Sequence, residues 1–326
     1  MDGLFADYGL FLAKLLTGLV FGIVALVAAL SLSRRGGAAT EELKVERLND
    51  KLEQLSNRLR QAVEPKDAFK KRLKGQKKAH KKEAKDAAKD HPRRMFVVDF
   101  KGDIRASATT SLRQEISAII ATANQTDQVL LRLENPGGTV HEHGLAASQL
   151  MRLKDRGIEL VVVVDKVAAS GGYLMACVAN RIVAAPFAII GSIGVLAQLP
   201  NFNRFLKEKG IDFEQIAAGR YKRTLTLFGE NTSEGREKLK EELEEVHALF
   251  KDEIQRHRPQ VDLSTVATGE HWYGSQALDL KLIDELGTSD DYLIKSLDDY
   301  QIFHVSYQRK RTLPERIFGA AASVFG

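Results

Sequence analysis

The stretch that decides the fold runs Ile158-Glu159-Leu160-Val161-Val162-Val163-Val164-Asp165-Lys166-Val167-Ala168-Ala169-Ser170-Gly171-Gly172-Tyr173. Ile158 to Val164 is apolar and β-branched, which predicts a buried parallel strand. Tyr173 to Ala179 predicts a short buried helix, with the central strand ending at Ser170. Ser170 then stands at a strand-to-helix turn, where free backbone N–H groups and the positive helix end stabilise negative charge. Two uses fit that position: a nucleophile, or an ordinary N-cap serine.

Working outward, Met95 to Phe100 predicts a strand, and Leu112, Ile116, Ile119 and Ile120 mark a helix. A strand over Val129 to Leu133, the loop Glu134-Asn135-Pro136-Gly137-Gly138 and a helix through Leu145, Leu150 and Leu153 lead into the deciding stretch. Beyond it, short strands over Ile182 to Ala184 and Ala188 to Ile190 run into Gly191-Ser192-Ile193-Gly194-Val195. A short helix from Asn203 to Lys209 and a strand from Ile211 to Ile216 precede Gly219-Arg220-Tyr221-Lys222-Arg223. Thr232 caps a long charged helix carrying Leu239, Leu243, Val246, Leu249 and Ile254 and ended by Pro259; Gly269 to Gly287 is a turn plus a short helix. Strand, helix, strand, helix at this spacing is an α/β chain with a parallel sheet. Such sheets bind ligands beyond the carboxyl ends of their strands. The Gly137-Gly138 loop and Ser170 both lie at carboxyl ends, so they mark a candidate site.

A length of 326 residues suits about two domains. Hydrophobic content of 44% and charged content of 28% are those of a folded protein rather than a disordered one. The single cysteine, Cys177, excludes an intramolecular disulfide and falls in the predicted buried helix. Residues 15 to 33 carry no charge and are long enough to span a bilayer, with Lys14 able to reach the interface. A cleaved signal peptide fits less well, because Asp2 and Asp7 occupy the place of a basic leader. Arg34, Arg35, Lys44 and Arg47 follow the span, which places the N-terminus outside and the body in the cytoplasm. A second span over 186 to 206 is excluded by Gln198, Pro200, Asn201, Asn203 and Arg204.

Residues 41 to 63 show a helical pattern with Leu48, Leu52, Leu55, Leu59 and Val63 on one seam. It suits self-association, or one amphipathic helix lying on the body or the membrane. Lys66 to Arg94 holds 13 Lys or Arg against four acids. Anionic headgroups are one partner for that charge, and a solvated helical or disordered linker is the plainer alternative. Nucleic acid is not expected, since Phe69 is the only aromatic in the run. Four segments result: 1–33 with the transmembrane helix, 34–94 as helix and basic linker, 95–300 as the globular body, and 301–326 as a basic, then apolar, tail. The tail is a candidate for membrane or subunit contact.

A nucleophilic serine wants a base. His141 and His143 are the histidines nearest the candidate loops, but they begin a helix, where histidine usually caps or is solvated; His247, His257 and His271 lie elsewhere. His-x-His has no third ligand at a metal-site spacing, so no metal is expected. The other route is a neutral lysine, whose amine loses its proton when desolvated. Lys222 stands in a glycine-flanked loop beyond a strand; Lys166 is nearer in sequence, but an ion pair with Asp165 would keep it charged.

Val167-Ala168-Ala169-Ser170-Gly171-Gly172-Tyr173, Asn135-Pro136-Gly137-Gly138, Gly191-Ser192-Ile193-Gly194-Val195 and Gly219-Arg220-Tyr221-Lys222 resemble, in order and spacing, the signal peptide peptidase A family of membrane-anchored serine–lysine peptidases. Gly269-Glu270-His271-Trp272-Tyr273-Gly274 and Leu282-Ile283-Asp284-Glu285 extend the resemblance over roughly residues 95 to 290. It implies a Clp protease/crotonase-like core of repeated ββα units behind an N-terminal anchor in a bacterial inner membrane. It also implies Ser170 as nucleophile, Lys222 as general base, Ser192 as the hydroxyl orienting the lysine, and an oxyanion hole from Gly171 and the Gly137-Gly138 loop. Polypeptide substrates such as signal-peptide remnants, a homo-oligomeric ring with sites within or across subunits, and no cofactor follow from the same resemblance. Long-form members carry two tandem repeats, and this chain carries one. The competing readings are a membrane scaffold with a vestigial protease domain and an acyl-thioester-binding crotonase relative; joint presence of Ser170 and Lys222 argues against the latter.

Overall fold

The computed structural model describes residues 10–22, 41–86 and 92–309. The chain divides into two units, Met1–Glu42 with Gln308–Gly326, and Leu43–Tyr307. In the first, helix α1 (10–22) leaves Leu10, Phe11, Leu15, Leu16, Leu19 and Phe21 exposed. The expected span at 15–33 lies only partly within the described residues, and among these no helix is long and apolar enough to cross a membrane. Most of the tail also lies outside them.

The larger unit is a mixed α/β body. In chain order it runs β1 (Glu41–Arg47), α2 (Leu48–Val63), α3 (Lys66–Asp86), β2 (Arg94–Lys101), α4 (Thr109–Thr122), β3 (Gln128–Glu134), α5 (Val140–Lys154), β4 (Glu159–Val164), β5 (Val167–Ala169) and α6 (Gly171–Cys177). Then come β6 (Arg181–Ala184), β7 (Ile189–Gly191), α7 (Asn203–Glu208), α8 (Ser233–His257), α9 (Leu263–Val266), β8 (His271–Tyr273), α10 (Gly274–Asp279), β9 (Glu285–Leu286), α11 (Ser289–Lys295) and β10 (Gln301–Arg309). A seven-stranded sheet has the order β1-β10-β2-β3-β4-β6-β9, and a three-stranded sheet the order β5-β7-β8. From β10 to β9 every pairing is parallel. The pairs β4–β5 and β6–β7 each place one strand in the large sheet and the next in the small one.

Strand alternation sorts the core. Phe96, Val98 and Phe100 of β2 point to one face with Leu112, Ile116, Leu150 and Tyr173, while Met95 and Val97 point to the other with Leu130, Val161, Val163, Leu293 and Ile302. The sheet is covered on both faces, as its uninterrupted valine run requires.

Four expectations are corrected. The seam over 41–63 is helical only from Leu48, because 41–47 pairs into the large sheet as β1. Its Leu48 packs on the second core, whereas Leu55, Leu59 and Val63 stay exposed. Residues 301–309 form β10 beside β2, not tail: Ile302 and Val305 are buried at an interval the basic composition hid. Asn49 clamps that strand, donating to Tyr300 O at 3.0 Å and accepting from Ile302 N–H at 2.7 Å. Residues 211–216 form no strand, since no neighbouring strand takes up their backbone groups, and Ile216 is 97% exposed. Gly269–Gly287 holds two short strands, β8 and β9, besides its helix.

One buried acid gives the body a pH signature. Glu115 on α4 is buried and accepts the Tyr307 N–H of β10 at 2.7 Å. Burial pushes its carboxyl up to about 7, with Asp99 adding to the rise and the Tyr307 N–H and His304 opposing it. The folded chain therefore holds a proton that the unfolded chain releases near its ordinary value of 4.5. That contribution to stability is full below the unfolded value and is lost as pH rises through about 7. Glu115→Gln keeps an acceptor for Tyr307 and removes the charge, so its urea midpoint should vary less than wild type across this window. An equal pH slope in both proteins would contradict the assignment.

Candidate active site

The site is assembled by strand ends. Beyond β4 the chain leaves the large sheet at the exposed Asp165-Lys166 and enters β5, so the central strand stops at Val164 and does not run to Ser170. Asn135, just past β3, is stitched to β5: its N–H donates to Val167 O at 2.8 Å and its carbonyl accepts from Ala169 N–H at 3.0 Å. The Gly137-Gly138 loop is thereby held against the end of β5.

Ser170 has φ 51° and ψ −121°. For a residue with a Cβ this conformation costs on the order of 1–3 kcal/mol and persists only where surroundings impose it. Here its N–H donates to Gly191 O at 2.7 Å, and its carbonyl accepts from Leu174 N–H at 3.0 Å. The hydroxyl makes no capping bond to α6, which removes the N-cap explanation for this serine. It opens instead into a cavity of about 480 Å³ shared with Gly138 and Gly171.

Glycine is required at 137, where φ is 93° and a Cβ would stand 2.8 Å from Ser170 Cβ and 3.0 Å from Gly171 N. Its N–H is already committed to Asn135 Oδ1 at 2.9 Å. Of the two expected loop donors, Gly138 therefore has the N–H without a partner among the described residues. The Gly171 N–H, in the first turn of α6, has no partner within the helix. These two donors and Ser170 border the same cavity.

The rest of that cavity is mostly apolar, walled by Val140, Met151, Leu174, Val246 and Phe250. The Glu253–Arg256 ion pair, 2.5 Å between Oε2 and a guanidinium nitrogen, stands at its border. An uncharged side chain loses least on entering such walls. Among the described residues no histidine lines it.

Lys222 is exposed and lines a different cavity, of about 720 Å³, with Leu199, Phe213, Ile216 and Phe228. Its side chain makes no ion pair among the described residues, while neighbouring Arg220 is tied to Glu234 at 2.7 Å. Ser192 shares positive φ with Ser170, at 50°, and its hydroxyl donates to Gly269 O at 3.3 Å. Within one chain the fold thus gathers Ser170, Gly171, Gly137 and Gly138, and leaves Lys222 in a separate cavity. Lys166 is held in an ion pair as expected, but with Glu134 at 3.0 Å; Asp165 accepts from the Ser289 N–H and hydroxyl.

Two supporting roles were not legible: Asn135, quoted above only as part of the loop, and His143 are both fully buried behind it, so His143 neither caps nor is solvated. Cys177 is buried too, its thiol pushed up to about 12 by burial, and belongs to the core.

Residues 3–150 match the model of the peptidase family S49 N-terminal region, and residues 152–301 match that of peptidase family S49. A protein named probable protease SohB from Haemophilus influenzae is 45% identical over 332 residues, covering 99% of this chain and 94% of that one. Another so named, from Buchnera aphidicola, is 48% identical over 313 residues, covering 96% and 93%. A solved membrane-bound stomatin-specific protease aligns with 63% of this chain and 85% of its own at 14% identity, with a TM-score of 0.42.

Proposed function

The chain belongs to peptidase family S49 and is a peptidase, and from that premise we propose that it is a membrane-anchored serine endopeptidase working through Ser170 and Lys222. The observation that carries the proposal is Ser170 itself. It has a strained backbone and a hydroxyl that caps nothing, and it lies beside two N–H donors in a largely apolar cavity.

Ser170 Oγ attacks the scissile carbonyl carbon as its proton passes to the amine of Lys222. The carbonyl oxygen, now negative, accepts from the N–H groups of Gly138 and Gly171; such donors contribute on the order of 3 kcal/mol each in water-excluded sites. Collapse breaks the C–N bond, and the lysine returns the proton to the leaving amine. Water, deprotonated by the same lysine, then releases the acyl group from Ser170. Histidine is a poor candidate for the base, because among the described residues none lines the Ser170 cavity and both ring nitrogens of buried His143 face other oxygens. Bringing Lys222 to Ser170 requires either movement of the 217–228 loop or the lysine of a neighbouring chain. Ser192 orients the lysine once it arrives.

The apolar run at 15–33 serves as the inner-membrane anchor, the basic stretch at 66–94 faces anionic headgroups, and the body lies on the cytoplasmic side. Exposed Leu249 on α8, with exposed Leu196, Phe202, Phe205, Ile211 and Ile216 in the mixed 196–228 segment, suits packing against further copies in a ring. A scaffold would leave the strained, uncapped Ser170 and its two N–H donors without a use, and a thioester-binding relative would need neither Ser170 nor Lys222.

Detergent-solubilised protein should cleave a denatured polypeptide such as casein, and failure of the assembled protein to do so would contradict the proposal. The cavity also predicts selectivity. Met151→Trp fills part of it, so cleavage after leucine should fall by ~10-fold or more while cleavage after alanine is retained. An unchanged leucine-to-alanine ratio would show that this cavity is not the side-chain subsite.

A further inference from the structure

Trp272 is the chain's single tryptophan and stands on β8, at the edge of the three-stranded sheet. His271 and Tyr273 on either side of it are exposed, so strand alternation turns Trp272 inward against the core. β8 pairs antiparallel with β7, which sets Trp272 opposite Ile190 and His271 opposite Gly191. Gly191 is the residue whose carbonyl takes the Ser170 N–H at 2.7 Å, and its own φ is 98°. A glycine in that conformation has no side chain to pin it. The indole does so instead: a Cβ placed on Gly191 would stand 3.1 Å from Trp272 Cδ1. The turn leading into β8 holds the residues that follow. The Ser192 N–H donates to Glu270 O at 2.7 Å, and the Ser192 hydroxyl to Gly269 O at 3.3 Å. The Gly269 N–H donates to Ile193 O at 3.0 Å, and a Cβ on Gly194 would stand 3.0 Å from Gly269 Cα. Gly194 borders the Ser170 cavity.

Residues 191–194 thus connect Ser170 to Ser192, and both serines have a left-handed φ, of 51° and 50°. Such conformations persist only where surroundings impose them. Ser170 is held by its bond to Gly191 O, and Ser192 by its bond to Glu270 O. We propose that Trp272 is a positioning residue for the Ser170–Lys222 chemistry. By filling the space over Gly191 it fixes the carbonyl that holds Ser170, and it keeps β8 against the segment that carries Ser192. This rests on Ser170 as nucleophile and on Ser192 as the hydroxyl that orients the lysine. The indole N–H is buried and makes no hydrogen bond among the described residues, so the ring acts by its shape. Its effect falls on the alignment of reacting groups, where small displacements carry large rate effects, and not on substrate binding.

Two substitutions separate shape from bulk. Trp272→Leu keeps an apolar side chain without the flat ring, and Trp272→Phe keeps a ring in that place. In full-length protein in detergent, Trp272→Leu should lower kcat by ~10- to 100-fold with KM within about twofold, and Trp272→Phe should recover kcat to within about threefold of wild type. Wild-type kcat in Trp272→Leu, equal losses in both variants, or a change confined to KM would overturn the proposal. The wild-type protein provides a check that needs no variant to fold. Because no other tryptophan is present, its emission reports this residue alone. Emission should change as a fluorophosphonate reacts, with the same rate constant at which the Ser170 adduct forms by mass. Constant emission through complete labelling of Ser170 would overturn the proposal. An adduct elsewhere, or none, would instead remove the nucleophile assignment and this inference with it.

Discussion

Ser170→Ala should lower kcat by a factor on the order of 10⁴ to 10⁶, the range seen when a serine nucleophile is removed. The variant separates chemistry from folding well. The Ser170 hydroxyl has no capping bond to lose, and alanine keeps the Cβ that Gly137 packs against. Its unfolding midpoint should therefore stay within about 0.5 kcal/mol of wild type. Peptide binding should persist as well, because the cavity walls of Met151, Leu174 and Phe250 are untouched. Cleavage at even a hundredth of the wild-type rate, in protein free of other peptidases, would remove Ser170 from the mechanism.

Lys222→Ala should cost a factor of roughly 10² to 10⁴, the span attributed to general acid–base catalysis. Lys222→Arg should be no better, since a guanidinium keeps its proton at any working pH. The separate cavities of Ser170 and Lys222 add a further arm. Mixing Ser170→Ala chains with Lys222→Ala chains restores activity if one chain's lysine serves the serine of its neighbour. It restores none if the 217–228 loop closes within a chain. A wild-type rate for Lys222→Ala alone would mean that another group takes the proton.

The parts of the fold legible in sequence were those whose pattern is local. The run at 158–164, the helical spacing of α4 and α5 and the Thr232 cap all declare themselves over a few turns or pleats, and Thr232 accepts from Gly235 N–H as its position suggests. Elements that depend on distant partners were hidden. β1 became a strand because β10 lies beside it, and β10 is held through Asn49, some 250 positions earlier. The same division runs through the site. Ser170 and the Gly137-Gly138 loop stand out by their glycines, which close backbone approach requires. Asn135 and His143 do not, because their roles come from which oxygens they face after folding. His-x-His at a helix start looks solvated until the ring is seen against Gly171.

The most direct measurement of the central claim is the mass of the protein after reaction with a fluorophosphonate, followed by peptide mapping. One adduct per chain on Ser170, absent from Ser170→Ala and greatly slowed in Lys222→Ala, is the predicted result. An adduct on another residue together with loss of activity, or full cleavage by protein whose Ser170 is quantitatively modified, would contradict it.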